Sequence, residues 1–179
     1  MPVIVLDRDG VINVDSDNYI KSADEWHPID GSIEAIADLT RSGYQVAVAT
    51  NQSGLGRSLF TLSELDAMHS KMRKRVEAAG GEIAVVSFCP HVPEARCGCR
   101  KPEIGLLLAI HEQLPLDSDS TWFVGDTDKD LEAARRMGIR GALVRTGKGR
   151  QTEKKGLVSR ETTPIFDNLR GFADWLLDI

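Results

Sequence analysis

Short apolar runs alternate with amphipathic segments along most of this chain. The apolar runs are rich in β-branched residues and are bounded by polar or glycine-containing turns, which is typical of strands buried on both faces. We predict five such strands, at Val3–Leu6, 46–50, 83–88, Trp122–Gly125 and 142–145. Apolar residues at helical spacing predict helices over residues 32–42, 63–79, 104–114, 129–137 and Leu169–Leu177.

The alternation of strands with helices predicts an α/β fold. Its central sheet should be parallel, with helices on both faces, which gives a Rossmann-like domain of three layers. No repeat or linker divides the sequence, so we predict a single domain over residues 1–179. The polar, basic stretch 146–163 has few apolar residues and predicts a long surface loop, with attraction of an anion as the alternative role for its charges.

Composition excludes several classes of protein. The chain has 179 residues, of which 41% are hydrophobic and 27% charged, as in an ordinary globular domain. Its formal net charge of −5 argues against binding of nucleic acid through bulk electrostatics. No apolar run approaches the roughly 20 residues of a membrane span, and the N-terminal apolar stretch is too short for a signal peptide. We expect a cytoplasmic monomer with neither nucleic-acid nor membrane partners.

Polar motifs directly follow the predicted strands. "DRDG" follows the first strand, "TNQSG" the second and "GDTDKD" the fourth, while the third leads into a cysteine-containing loop that ends in "RKP". Ligands of open parallel sheets bind beyond the carboxyl ends of the strands. Taken alone, "DRDG" favours an Asp-Gly turn and "GDTDKD" an ordinary helix start. Their occurrence together at strand ends favours a single catalytic crevice.

The carboxylates of this crevice suit phosphate chemistry. Asp7 and Asp9 are crowded and need a divalent cation or a shared proton, and Asp126 adds a third oxygen ligand of the kind that Mg²⁺ prefers. A carboxylate such as Asp7 can attack phosphorus. Asp9 could then protonate the leaving group and later take a proton from water.

The other strand ends could supply groups that bind the transferring phosphoryl. Thr50 and the backbone amides around Asn51 could hold its oxygens. Lys101, together with Arg100, could neutralise the charge that builds there.

These motifs resemble those of the haloacid dehalogenase (HAD) superfamily of phosphatases. "LDRDGVIN", "TNQSG", "RKP" and "GDTDKD" match its four motifs, and the resemblance covers residues 3–130. It implies that Asp7 is the nucleophile, Asp9 the general acid and base, Thr50 the phosphoryl-binding hydroxyl and Lys101 the neutralising cation. It also implies a Mg²⁺ ion held by a carboxylate oxygen of Asp7, the backbone carbonyl of Asp9, and Asp126.

Two further side chains near these motifs are expected to take no direct part in the chemistry. We expect Arg8 to point away from the site, as a surface or structural arginine. Asp130 is expected to orient a neighbouring group or solvate its helix rather than to bind metal.

All three cysteines lie in one loop, over residues 89–99. Cys89, His91, Cys97 and Cys99 form C-x-H followed by C-x-C, and four such ligands match a closed tetrahedral Zn²⁺ site. The alternative is a set of idle thiols beside a surface histidine. A structural zinc would hold the loop in place immediately before Arg100.

The motif "CPH" followed by "CGCRKP", with no inserted cap domain, narrows the resemblance to HAD phosphatases that act on small phosphorylated metabolites. The substrate it implies is D-glycero-D-manno-heptose 1,7-bisphosphate, which would lose its C7 phosphate to give heptose 1-phosphate. Histidinol phosphate is the alternative substrate, and a non-catalytic, phosphate-binding zinc protein is the alternative of another class. The implied substrate contacts are Asp15, Asn18, Tyr19, Thr50, Asn51, Gln52, Ser53, Arg100 and Lys101.

Two positions leave the contacts of a bisphosphate incomplete. Thr127 stands where some relatives carry a lysine, so a cationic contact is absent at that position. Arg57 remains open as a second anion contact.

Overall fold

Six parallel strands form the central sheet of the structure, a computed structural model that describes residues 1–156, 158 and 161–178. Neighbouring strands lie in the order β3-β2-β1-β4-β5-β6. Their register places Val5 beside Ala47 of β2 and Phe123 of β4. The strands are β1 (Val3–Leu6), β2 (Gln45–Asn51), β3 (Val85–Cys89), β4 (Trp122–Gly125), β5 (Arg140–Val144) and β6 (Ile165–Phe166).

Helices cover both faces of the sheet. Helices α1, α3 and α7 contribute apolar side chains to the core on one face, and α4 and α5 contribute to the core on the other. The helices are α1 (Ser32–Arg41), α2 (Ser53–Gly56), α3 (Leu62–Ala78), α4 (Gly105–His111), α5 (Asp128–Met137), α6 (Gly149–Lys154) and α7 (Leu169–Leu177). No helix in the described part of the chain is both long and apolar enough to span a membrane.

The sequence of β1 explains why the sheet lies in the middle of the fold. Ile4 and Leu6 belong to the core that includes α1, α3 and α7, while Val3 and Val5 belong to the core that includes α4 and α5. All four side chains are fully buried. Because successive residues of a strand point to opposite faces, a strand that is apolar at every position is stable only between two layers of helices.

The five predicted strands and five predicted helices are confirmed, with ends that differ by a few residues, and they form the predicted three-layer α/β domain. The prediction of a loop over 146–163 is wrong in part, because α6 lies within it; residues 157, 159 and 160 of that stretch fall outside the described residues. Strand β6 and the single-turn helix α2 were also not predicted. These elements are too short to show a period, and α6 is fixed by a tertiary contact of Thr152 rather than by an apolar face.

Strand order reverses beside β1. The chain passes from β1 outward to β2 and β3, then returns to place β4 on the other side of β1. A crevice opens at such a switch point, beyond the carboxyl ends of the two central strands. Asp7 follows β1 and Asp126 follows β4, so the topology brings these two carboxylates to the same place.

Candidate active site

A cavity of about 280 Å³ lies at this switch point and is lined mainly by polar side chains. It contains most of the residues that the sequence analysis singled out, together with several that it did not. The lining residues are Asp7, Asp9, Asp15, Ser16, Asp17, Tyr19, Ile20, Asn51, Gln52, Ser53, Arg100, Lys101, Asp126, Thr127, Lys129, Asp130 and Lys148.

Asp7 presents one free carboxylate oxygen. Its Oδ1 accepts the Arg8 backbone N–H at 2.8 Å and lies 2.9 Å from Lys101 Nζ. Among the described residues, no protein donor engages Oδ2. Burial raises the pKa of Asp7 to about 7, although the Lys101 charge opposes this effect. Oδ2 is therefore the oxygen available to attack an electrophile or bind a cation.

Three buried carboxylates crowd together in the crevice. Oxygens of Asp7, Asp126 and Asp130 all lie within 4.8 Å of one another. Burial raises the pKa of Asp126 to about 8, and the charges of Asp7 and Asp130 contribute to this rise. A divalent cation would relieve this repulsion, and a set of hard oxygen donors fits Mg²⁺.

The backbone around Asp126 leaves no room for side chains. A Cβ added to Gly10 would lie 2.3 Å from Asp126 Oδ2, and one added to Gly147 would lie 2.2 Å from the same atom. Both glycines also have positive φ, at +86° and +57°. The Lys148 N–H donates to Asp126 Oδ2 at 2.8 Å, and the Thr152 hydroxyl donates to the Asp126 carbonyl at 2.9 Å. The segment after β5 thus holds both the side chain and the backbone of Asp126 in place.

Lys101 is a buried cation between two carboxylates. Its Nζ lies 2.9 Å from Asp7 Oδ1 and 2.6 Å from Asp130 Oδ1, and it donates to the Ala49 carbonyl at 2.8 Å. Burial alone would lower the pKa of Lys101, but the charges of Asp130 and Asp7 outweigh it and raise the pKa. Lys101 therefore remains charged where it meets Asp7.

The side chain of Asn51 fixes the backbone of Lys101. Asn51 Nδ2 donates to the Lys101 carbonyl at 3.2 Å, and the Lys101 N–H donates to Asn51 Oδ1 at 3.0 Å. This reciprocal pair joins the end of β2 to the end of the cysteine loop.

Asp130 bonds two neighbouring groups. Its Oδ2 accepts the backbone N–H of Thr127 at 3.1 Å and the Thr127 hydroxyl at 2.8 Å, which caps helix α5. Its other oxygen pairs with Lys101. Asp130 thereby couples the start of α5 to the buried cation.

Asp9 is held by three side chains. The guanidinium of Arg8 bonds both of its oxygens, Asn13 Nδ2 donates to Oδ1 at 2.9 Å, and Gln52 Nε2 donates to Oδ2 at 2.8 Å. Burial alone would raise the pKa of this carboxyl. The charge of Arg8 and the hydrogen bonds from Asn13 and Gln52 outweigh that effect and lower the pKa below its usual value.

The cysteine loop gathers four soft ligands. Cys99 Sγ lies 3.1 Å from Cys89 Sγ and 3.5 Å from Cys97 Sγ, and His91 Nδ1 lies 3.2 Å from Cys99 Sγ and 3.6 Å from Cys89 Sγ. Sulfurs around a tetrahedral zinc with bonds of about 2.3 Å would stand about 3.8 Å apart. The cluster is therefore compact enough to close around one such ion with small outward shifts. Arg100 follows it directly and donates to the His91 carbonyl at 3.4 Å.

Comparison with known proteins gives the family. Residues 98–172 match a family model described as HAD-hydrolase-like. A D-glycero-beta-D-manno-heptose-1,7-bisphosphate 7-phosphatase of Pseudomonas putida is 50% identical over 99% of this chain and 100% of its own length. A Neisseria meningitidis protein of the same name is 48% identical over 99% of this chain and 95% of its own. The chain belongs to this family of HAD-like phosphatases.

A solved structure of the family agrees over nearly the whole chain. The D,D-heptose 1,7-bisphosphate phosphatase of B. bronchiseptica is 43% identical, has a TM-score of 0.95 and covers 99% of both chains. That crystal structure is of a complex with magnesium and phosphate. A second such phosphatase, from Burkholderia Thailandensis, has a TM-score of 0.78 at 42% identity. The fold and the phosphatase class expected from the sequence are therefore confirmed.

Within this HAD-like site, some predicted residues lie elsewhere than expected. Thr50 is buried and does not line the cavity, although its Oγ1 accepts from Gln52 Nε2 at 2.9 Å. Tyr19 lines the cavity, whereas its exposed neighbour Asn18 does not. Arg57 is exposed and also lies outside the cavity lining.

Of the two expectations for Arg8, a surface or a structural arginine, the structure supports the structural one, since its side chain is fully buried and pairs with Asp9. Its partner was not predicted, because nothing in the sequence around Asp7 indicates which group a buried arginine contacts. Lys129 and Lys148, which line the cavity, were also missed. A signal for Lys148 was present in "TGKG", which directly follows the fifth predicted strand.

Proposed function

We propose that this chain removes the C7 phosphate of D-glycero-β-D-manno-heptose 1,7-bisphosphate and releases heptose 1-phosphate. The observation that carries the proposal is that Asp7, Asp9, Lys101 and Asp126 line one crevice. Relatives that are similar to this chain over nearly their whole length have this activity in their names. Magnesium is the proposed catalytic ion and zinc the proposed structural one.

Phosphoryl transfer to Asp7 is the proposed first step. Asp7 Oδ2 forms a bond to the C7 phosphorus, and the bond between that phosphorus and the C7 oxygen breaks. Asp9 gives its proton to the departing alkoxide. Lys101, 2.9 Å from Asp7 Oδ1, offsets the negative charge around the transferring group.

Hydrolysis of the aspartyl-phosphate is the proposed second step. Asp9, now ionised, takes a proton from a water molecule whose oxygen attacks the phosphorus. The bond between phosphorus and Asp7 Oδ2 breaks, which returns the carboxylate and releases inorganic phosphate. The same side chain therefore acts first as acid and then as base.

Asp9 must gain a proton before the first step. In the free enzyme its lowered pKa keeps it ionised at neutral pH. The phosphate group of an arriving substrate adds negative charge beside it, which favours the protonated form.

A magnesium ion in this crevice would be held by a carboxylate oxygen of Asp7, the backbone carbonyl of Asp9, and Asp126. When bound, it would supply positive charge to the phosphoryl oxygens in the transition state. Support comes from the crowded carboxylates with their raised pKa values and from the two glycines that make room for Asp126. The pairing of Asp130 with Lys101 favours a supporting rather than a ligating role for Asp130.

Zinc bound by Cys89, His91, Cys97 and Cys99 is proposed to stabilise the loop that carries Arg100 and Lys101. Such a site is closed and takes no part in the chemistry. Substrate contacts are proposed for the cavity-lining residues Asp15, Tyr19, Asn51, Ser53, Arg100 and Lys101. Gln52 also lines the cavity, but its amide nitrogen already donates to Asp9 and Thr50, and Asn18 and Thr50 lie outside the lining. Of the proposed contacts, Asp15, Tyr19, Ser53 and Arg100 make no side-chain bond to the catalytic carboxylates.

Steady-state kinetics tests the proposal. We expect kcat/KM to be highest for the β anomer of heptose 1,7-bisphosphate among a set that contains the α anomer and histidinol phosphate, with phosphate lost from C7. Asp7→Asn should abolish turnover of every substrate while zinc content and fold are retained. Preference for histidinol phosphate would contradict the proposed substrate, and phosphate release by Asp7→Asn would contradict the covalent mechanism. A wild-type protein that binds phosphate without turnover would be a binding protein instead.

A further inference from the structure

Arg8 is a buried charge for which the proposed chemistry has no use. It directly follows the nucleophile, and its side chain is 0% exposed. Its Nη2 donates to Asp9 Oδ1 at 2.9 Å and to Oδ2 at 3.1 Å, and its Nε donates to Oδ1 at 3.1 Å. One planar guanidinium thus engages both oxygens of the carboxylate. Such bidentate pairing fixes orientation as well as position.

Two amides complete the surroundings of this carboxylate. Gln52 Nε2 donates to Asp9 Oδ2 at 2.8 Å, and Asn13 Nδ2 donates to Asp9 Oδ1 at 2.9 Å. Gln52 Nε2 also donates to Thr50 Oγ1 at 2.9 Å, because an amide nitrogen carries two hydrogens. The plane of the Asp9 carboxylate is therefore set by donors from two different strand ends.

Helix α3 supports Arg8 from the side away from Asp9. Arg8 Nη1 lies 3.2 Å from His69 Nε2 and 4.0 Å from Met68 Sδ. A guanidinium has no acceptor, so His69 Nε2 accepts the hydrogen bond and its proton resides on Nδ1. The His69 ring in turn packs against Phe88, with ring centroids 6.1 Å apart. The guanidinium cannot rotate without disturbing this packed layer.

We propose that Arg8 and Gln52 are positioning residues that aim Asp9 at the leaving-group oxygen during phosphoryl transfer. The inference rests on the proposed function, in which Asp9 is the general acid. Neither side chain needs to touch the substrate for this role. Removal of either one would leave Asp9 in place but free to turn, and a misdirected acid cannot protonate the alkoxide.

A comparison of two leaving groups tests the inference. The alkoxide of heptose 1,7-bisphosphate needs protonation as it leaves, whereas the phenolate of p-nitrophenyl phosphate leaves unaided. Because kcat/KM reports the steps up to transfer to Asp7, it excludes the later hydrolysis, in which Asp9 acts as base. Asp9→Asn is the reference and should lose activity toward the heptose substrate selectively.

Arg8→Met should reproduce this selective loss. We expect kcat/KM for heptose 1,7-bisphosphate to fall about 100-fold, within the range that general acid–base catalysis supplies, and that for p-nitrophenyl phosphate to fall less than about threefold. Arg8→Lys retains one charged donor and should recover part of the loss. Gln52→Met should show the same selectivity to a smaller degree, with KM little changed.

Arg170→Met is the matched control. Arg170 pairs with Asp38 and Asp174, away from the cavity lining, and should be dispensable for both substrates. Suppose that Asp9→Asn is selective as expected. The inference is then overturned if the Arg8 variants lose kcat/KM equally on both substrates, or lose none. If Asp9→Asn is itself unselective, the acid role of Asp9 fails, and the inference fails with it. Should Arg8→Met not fold, the same comparison in Arg8→Lys and Gln52→Met decides.

Discussion

At the scale of single residues, Gly10 shows how closely the backbone approaches the carboxylate of Asp126. Its φ of +86°, and the 2.3 Å that would separate an added Cβ from Asp126 Oδ2, exclude any side chain. We predict that Gly10→Ala destabilises the fold by about 1–2 kcal/mol through its positive φ. It should also weaken Mg²⁺ binding, because Asp126 must move. Chemical unfolding and calorimetric Mg²⁺ titration measure the two effects separately.

Gly43→Ala is the control for this experiment. Gly43 has a similar φ of +89°, but nothing lies within 4 Å of the place that its Cβ would take. Both variants should lose stability through their positive φ, and Gly10→Ala should lose more because its Cβ also meets Asp126. Only Gly10→Ala should lose affinity for Mg²⁺. Unchanged affinity in Gly10→Ala would show that Asp126 does not hold the ion.

His69 makes stability depend on pH. Burial and the neighbouring Arg8 charge lower its pKa to about 3, against about 6.5 in an unfolded chain. Neutral His69 contributes fully to the free energy of unfolding above pH 6.5. This contribution is lost as pH falls toward 3, because the unfolded state takes up the proton at a higher pH than the folded state. At pH 5.5 the titration of His69 should lower the free energy of unfolding by about 1 kcal/mol. Urea unfolding between pH 5 and 7 should show a smaller decline in His69→Gln than in the unsubstituted protein, and parallel declines would contradict this account.

At the scale of elements, the cysteine loop links the proposed zinc site to Lys101, the proposed catalytic cation. Removal of zinc by a chelator should lower kcat/KM about tenfold or more, because the end of the loop presents Arg100 and Lys101 to the substrate. The loss should be incomplete, since Asn51 also holds the Lys101 backbone. Circular dichroism should report an intact sheet, and added Zn²⁺ should restore activity. Full activity in zinc-free protein would refute this role of the loop.

The same loop illustrates what sequence analysis can and cannot predict. Spacing alone indicated that Cys89, His91, Cys97 and Cys99 meet, since ligands in one short loop cannot lie far apart. Asn51 and Gln52 were predicted as substrate contacts from their place after β2. The structure shows that their side chains bond Lys101 and Asp9, respectively, and such pairing depends on the register between distant strand ends. A motif therefore locates a residue in the site without naming its partner.

The failure to predict α6 has a similar cause. The helix spans only Gly149–Lys154, and its buried polar side chain, Thr152, bonds the carbonyl of a residue 26 positions earlier in the chain. Apolar periodicity detects helices that cover a core, such as α1 and α3, because their buried side chains recur at about 3.6 residues. A short helix fixed by one tertiary hydrogen bond leaves no such pattern.

At the scale of the whole molecule, the parallel sheet concentrates negative charge at one point. Burial raises the pKa of Asp7 to about 7 and that of Asp126 to about 8, and metal binding requires both to be ionised. We predict that the affinity for Mg²⁺ falls about tenfold or more between pH 8 and pH 6, since protons compete for the same oxygens. Calorimetric titration at pH 6, 7 and 8 measures this. An affinity independent of pH would show that these carboxylates are not the ligands.

The central claim is that Asp7, placed by the reversal of strand order between β1 and β4, becomes covalently phosphorylated. Borohydride added during turnover of heptose 1,7-bisphosphate reduces an aspartyl-phosphate to homoserine, which peptide mass spectrometry locates. We predict homoserine at position 7 and none in Asp7→Asn. Homoserine at another position, or phosphate release by Asp7→Asn at the unsubstituted rate, would contradict this claim.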